Sequence, residues 1–176
     1  MRKYLKYICL SAVTNVYKGL ANAFNVEGRA TRSEFWWFFI FTNLVTFLAG
    51  WVDNGTPATV RFGLYSQLVL WLCLMPFTAV TARRLHDLNF SGVWAWVVVI
   101  NLMFVITQSN YPSPDEINAG IVIVTIFGCM TALVWIIMLV AFLFPGTHGP
   151  NRFGVDALHC TDEDQADYEF KLRSGY

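Results

Sequence analysis

The 176-residue chain is 56% hydrophobic and only 14% charged, against roughly 45–50% apolar and about 25% charged in soluble domains. Its net charge of zero hides an asymmetry, since residues 1–33 carry six bases against one acid and the stretch from Thr161 carries five acids against two bases. With so few charges, many of them near the ends, the middle has no means of covering a water-soluble surface, and no nucleic-acid partner is expected.

The first predicted element is an amphipathic helix. Leu5, Ile8, Ala12, Val16, Leu20 and Ala23 recur every three or four residues, with Lys6, Asn15, Lys18 and Asn22 mostly elsewhere. That is the period of a helix lying in the membrane interface, and packing against the ends of a helix bundle explains it equally well. The basic start and the Ala-Asn-Ala at 21–23 resemble a cleavable signal, but Asn15 and Lys18 interrupt its apolar stretch, so the segment is expected to be retained.

Four apolar stretches follow: Phe35 to Val52, Phe62 to Ala82, a shorter Ser91 to Thr107, and Gly120 to Phe144. Each approaches the roughly 20 residues needed to cross a hydrocarbon layer of about 30 Å. None contains Asp, Glu, Lys, Arg or His, and Trp36, Trp37, Trp51, Trp94 and Trp96 fall near their ends, as in interfacial aromatic belts. The fold class expected is an all-α membrane protein of four transmembrane helices with an N-terminal amphipathic interfacial helix. Eight residues separate the second stretch from the third, so the charged run between them is read as a tight hairpin loop.

With four spans, every Lys and Arg except Arg61 lies on one side, which the positive-inside rule makes cytoplasmic. Both termini are then cytoplasmic. The chain divides into a cytoplasmic N-terminal segment (1–33), a transmembrane domain (34–158) and an acidic cytoplasmic tail (159–176). In the tail, Thr161 and Asp164 have capping-box spacing, and a helix of about a dozen residues there needs docking to persist.

The polar chemistry concentrates in three segments around the spans: GRATRSEFWWF (Gly28 to Phe38), ARRLHDLNFSGVW (Ala82 to Trp94) and PGTHGPNRFGVD (Pro145 to Asp156). Arg29, Arg32, Arg83, Arg84 and Arg152 are thereby brought to one face with Glu34, Asp87 and Asp156. Arginine's planar fork suits carboxylate and phosphate alike. Either the acids are structural ion-pair partners of the arginines, or the excess arginines bind an anionic lipid head group or phosphate. Of the two adjacent arginines, Arg84, nearer Asp87, is expected to be the structural one and Arg83 the lipid contact.

Other chemistries fit less well. His86 beside Asp87 suggests an acid–base pair, yet neighbours on a helix do not face each other. His148, His159, Cys160 and Asp156 lack the spacing of metal sites. The glycines after Pro145 lack the Lys-Ser/Thr of a P-loop. No catalytic residue, cofactor or metal is expected, and the four scattered cysteines imply no disulfide framework. Asn43, Gln67 and Asn101 within the spans suit interhelical hydrogen bonds, and without an intramembrane charge an ion-coupled transporter lacks its usual sign.

The three segments resemble a bacterial membrane family, domain of unknown function 805, in their G-R-A-x-R-x-E-F/Y-W, A-R-R-L-H-D-x-x-x-S-G-W and P-G-x-x-G-x-N-R-F/Y-G-x-D patterns. The resemblance covers about residues 24 to 158, departing at Leu88-Asn89-Phe90, where a small residue and a base are usual, and at Val93, where a second aromatic is common. It implies a small bacterial inner-membrane protein without an established biochemical activity. The function expected is a non-enzymatic membrane module whose cytoplasmic arginine/acid cluster contacts anionic lipid or a protein partner. A small oligomeric transporter or channel, and an enzyme using His86, are the other classes. The partners expected are the lipid bilayer and, beyond it, a second copy of the chain or another membrane protein.

Overall fold

The structure is a computed structural model and describes residues 2–54, 63–101 and 119–156, together with Leu158 and Phe170. These residues form five helices and no strand beyond an isolated bridge between Asn151 and Gly154. They are α1 (Arg2–Ala21), α2 (Arg32–Asn54), α3 (Leu64–Asp87), α4 (Gly92–Asn101, opening as a 3-10 turn over Gly92–Ala95) and α5 (Ala119–Ala141). Most of the short outer loops expected over Asp53 to Arg61 and Gln108 to Ala119, most of the tail, and the far part of the third span lie outside the described residues.

Two helices, α2 over Arg32–Asp53 and α3 over Leu64–Asp87, are long and apolar enough to cross a membrane, whereas α4 and the Thr125–Ala141 part of α5 are shorter apolar helices. At 23 residues α2 reaches about 34 Å. Its outer face exposes Ile40, Leu44, Phe47, Leu48 and Trp51, and α3 exposes Leu64, Leu68, Trp71, Leu72 and Met75. Stripes of this kind suit hydrocarbon and are a liability in water.

The core is aromatic and sits at one end of the bundle. Phe35 and Phe38 of α2 and Phe142 just past α5 are fully buried. Phe35 meets Phe142 edge-on with ring centroids 4.6 Å apart, and Phe77 of α3 meets Trp135 of α5 at 6.0 Å, so the rings join α2, α3 and α5. At the opposite end Asp53 closes the α2–α3 connection, accepting from the backbone N–H of Tyr65 (2.9 Å) and Ser66 (2.8 Å). The carboxylate thus caps the donors left open at the start of α3.

Helix α1 packs against α2 and α3. Its contact side runs through Ala12, Val16 and Gly19, and the Phe38 ring occupies the space that a Cβ on Gly19 would need. Ile8 and Leu20 of the expected apolar stripe instead turn outward with Tyr7, Leu10, Val13 and Tyr17. Close approach of a ring to glycine, which hydrophobicity does not register, rotates the packed face.

Candidate functional site

The charged run expected as a hairpin loop is helical. Helix α3 continues through Arg83, Arg84, Leu85, His86 and Asp87, because the run contains no helix breaker and cations favour a helix C-terminus. The chain turns one step later. Asn89 takes a left-handed φ of 63°, its N–H donates to His86 O (2.9 Å) and the Phe90 N–H to Leu85 O (2.9 Å). That pair of bonds is a Schellman termination with asparagine at the left-handed position. Ser91 then begins α4, its hydroxyl accepting from Val93 N–H at 3.4 Å.

The α1–α2 loop crosses this helix end and is tied to it twice through the backbone. Ala30 N–H donates to Arg83 O at 3.1 Å, and His86 Nδ1 lies 3.1 Å from Gly28 O. A carbonyl only accepts, so Nδ1 carries the proton. Between these ties Arg29 points inward, its Nε 2.9 Å and Nη2 2.8 Å from Asp87 Oδ1, while Nη1 donates to Gly149 O (2.6 Å) and Nη2 to Thr147 O (2.5 Å). Every donor group of this buried guanidinium is used.

Arg84 completes the other side. Fully buried, it pairs through Nη1 with Asp87 Oδ2, and its Nη2 donates to Phe142 O (3.0 Å) and Phe144 O (2.5 Å). Arg32, the first residue of α2, reaches Leu143 O at 3.3 Å. Carbonyls 142–144 follow the last turn of α5, where a helix leaves its acceptors open, and two arginines from distant segments cap them.

The segment after α5 is bound to Asp87 as well. Thr147 donates to Asp87 O through its N–H (2.9 Å) and its hydroxyl (3.1 Å). Asn151 Nδ2 donates to His86 O at 2.9 Å and to Thr147 Oγ1 at 3.0 Å. A Cβ on Gly146 would collide with the Asp87 carboxylate, so only glycine lets the chain pass. Phe153 stacks on His86 with centroids 3.9 Å apart, Arg152 lies 4.6 Å from the same ring, and Arg152 Nη2 donates to Asn89 O (3.0 Å).

A second buried pair lies beside the first. Arg83 Nη1 is 2.7 Å from Glu34 Oε1, and both side chains are more than nine-tenths buried. The approach is a charge contact without hydrogen-bond alignment, and among the described residues Nε and Nη2 of Arg83 meet no acceptor. Arg83, expected to face lipid, is therefore inside, against Glu34. Thr31 caps α2 by accepting from Glu34 N–H at 3.2 Å, and the Thr31–Glu34 spacing is that of a capping box. Its glutamate has turned to Arg83 instead of back to the cap.

The clasp thus brings Arg29, Arg84 and Asp87 into direct contact, sets Arg83 with Glu34 apart from them, and leaves Arg32 and Arg152 at the edge. Asp156 is buried, its carboxylate accepting from Leu158 N–H at 2.9 Å. A cavity of about 110 Å³ opens between Arg32, the Arg29–Asp87–Arg84 cluster and the Pro145–His148 turn. His86 and Asp87 do not form a dyad: the ring contacts Gly28 and Phe153, and the carboxylate contacts arginines. Among the described residues no group of three His, Cys, Asp or Glu is placed to hold a metal ion. His159 and Cys160 lie outside them. Thr147, Asn151 and Gly146 were not expected at the site. The polar pair four residues apart inside PGTHGPNRFG was the signal available.

Residues 23–155 match the family described as Protein of unknown function (DUF805). The chain belongs to this family. Among its relatives, inner membrane protein YhaH of Escherichia coli (strain K12) is 29% identical over 141 residues, 79% of this chain and 92% of the relative. Inner membrane protein YhaI of the same strain is 30% identical over 139 residues, 78% and 89% of the two chains. Uncharacterized protein YiiR of that strain is 30% identical over 139 residues, 76% and 86%. No solved structure matches. The matched span holds all three polar segments except Asp156, the last residue of the third.

Proposed function

We propose that this family member is a multi-pass inner-membrane protein with four spans and both termini in the cytoplasm, working as a non-enzymatic module whose arginine clasp stands at the cytoplasmic surface. One observation carries this reading: the loop leading into α2, the end of α3 and the segment leaving α5 meet at Asp87. Contact of those three ends suits an out-and-back path for α2 with α3 and another for α4 with α5. The location of YhaH and YhaI given by their names supports the membrane, and the positions of all bases but Arg61 support the side.

The non-enzymatic reading follows from where the polar groups go. The Asp87 carboxylate is shared by two arginines, whose other contacts are backbone carbonyls, and the His86 ring is taken up by Gly28 and Phe153. Groups so engaged hold helix ends together, and those left at the edge, Arg32 and Arg152, face anionic lipid or a partner. Exposed Tyr7, Leu10, Val13 and Tyr17 of α1 suit burial in the same interface.

Reporter fusions test the arrangement. Cytoplasmic signals are expected after Ser33, at Asn89 and after Tyr176, with outside signals at Asn54 and Ser113. An outside signal at Asn89 overturns the topology, and solute flux through proteoliposomes of the purified protein overturns the non-transporting reading.

A further inference from the structure

We propose that the cavity beside Arg32 binds the phosphate group of an anionic phospholipid. The inference rests on the membrane topology above and adds a site and a ligand class to it.

The charge around the cavity is uneven. Asp87 is shared by Arg29 and Arg84, leaving that trio with one positive charge in excess, which the Asp156 carboxylate, also in the cavity lining, offsets. Arg32 therefore supplies the net positive charge among the arginines and acids of the lining. It is exposed and, among the described residues, makes one hydrogen bond, the 3.3 Å contact to Leu143 O, so donors of its fork remain for an anion. Arg29 and Arg84 are fixed by carbonyl contacts and cannot swing away, which keeps the field in the cavity constant.

The rim decides the source of the phosphate. Leu143, Phe144 and Leu158 are 58%, 62% and 66% exposed, and Leu158 lines the cavity itself. The backbone of the first two is clamped by Arg32 and Arg84, so these apolar side chains are held outward. An apolar rim is a poor entrance for a free hydrated anion and a good one for a phosphate carried on glycerol and acyl chains. It stands where α5 ends, at the depth of the head groups in the proposed topology.

The test uses the full chain in nanodiscs of phosphatidylglycerol or phosphatidylcholine, with retained lipid read by native mass spectrometry. Wild type is expected to keep phosphatidylglycerol preferentially. Arg32→Gln should lower that preference about fivefold, the effect of one base near an anionic surface. Lys18→Gln, which removes an equal charge from α1, should leave the preference intact. Leu158→Asp, at an exposed position outside the clasp contacts, should lower the preference as Arg32→Gln does, and it keeps the proposal testable if the arginine variant folds poorly. Equal losses in Arg32→Gln and Lys18→Gln, or no loss in Leu158→Asp, would overturn the site in favour of general surface charge. Displacement of the lipid by millimolar inorganic phosphate would overturn the lipid as ligand. A cytoplasmic reporter at Asn89 alongside either result assigns the failure to the site, whereas an outside reporter assigns it to the topology.

Discussion

Arg29 contacts Asp87 across 58 residues of chain, with Nε and Nη2 both within 2.9 Å of one carboxylate oxygen. The same Asp87 pairs with Arg84 one turn back on its own helix and accepts from Thr147 through its backbone. One residue therefore joins the α1–α2 loop, the end of α3 and the segment after α5. Buried charges endure only when paired and hydrogen-bonded, and here the remaining guanidinium donors fall largely on carbonyls that α5 and its exit leave open. Polar chemistry at this end is cohesive.

Gly146 is fixed by the same carboxylate. Its replacement by alanine forces a methyl into Asp87, and overpacking of this kind costs about 1–3 kcal/mol. Thermal unfolding of Gly146→Ala in detergent should show that loss, while Gly149→Ala, with open space around its Cβ but a left-handed φ of 74°, should show a smaller one from backbone strain alone.

The three segments that build the clasp were legible as islands of charge between apolar runs. The pairing was not, because Arg29 and Asp87 are far apart in sequence and Arg84's carbonyl partners have no side-chain signature. Helix α3 runs past the end of its apolar stretch at Ala82. Charge normally marks the limit of a membrane span, yet Arg83 to Asp87 extend the helix and the true stop is the asparagine at 89. The glycine that docks α1 escaped for a different reason: Gly19 contributes no hydrophobicity, and its role is the room it leaves for Phe38.

Arg83 and Glu34 should behave as a coupled pair. Removing one partner leaves the other charged and buried, a loss of about 3–5 kcal/mol, so Arg83→Met and Glu34→Gln are each expected to be strongly destabilised. The double variant should recover much of the loss, since two unpaired donors of Arg83 disappear with the charge. A double-mutant cycle in detergent melts checks this, and additive losses would separate the two residues.

Gly19→Leu should release α1 without dissolving the clasp. The side chain has no room against Phe38, so limited proteolysis within residues 17–24 should accelerate while the main unfolding transition stays in place. A collapse of that transition would make α1 part of the cooperative core.

Deletion of residues 161–176 is expected to leave membrane insertion and melting unchanged, because the three polar segments end at Asp156. A large fall in melting temperature would mean that the acidic tail is docked, with the bases at the clasp edge as its natural partners.

The most direct test of a cohesive clasp is the stability of Asp87→Asn in phosphatidylglycerol and in phosphatidylcholine bilayers. The substitution keeps size but replaces one of two acceptor oxygens by a donor and leaves Arg29 and Arg84 buried without their counter-charge, at a cost of about 3–5 kcal/mol. The predicted result is an equally large drop in thermal stability in both lipids, with Arg29→Gln partly restoring the Asp87→Asn protein. Full stability in phosphatidylcholine, with only the preference for phosphatidylglycerol changed, would contradict the account and make the cluster a lipid site that the fold does not need.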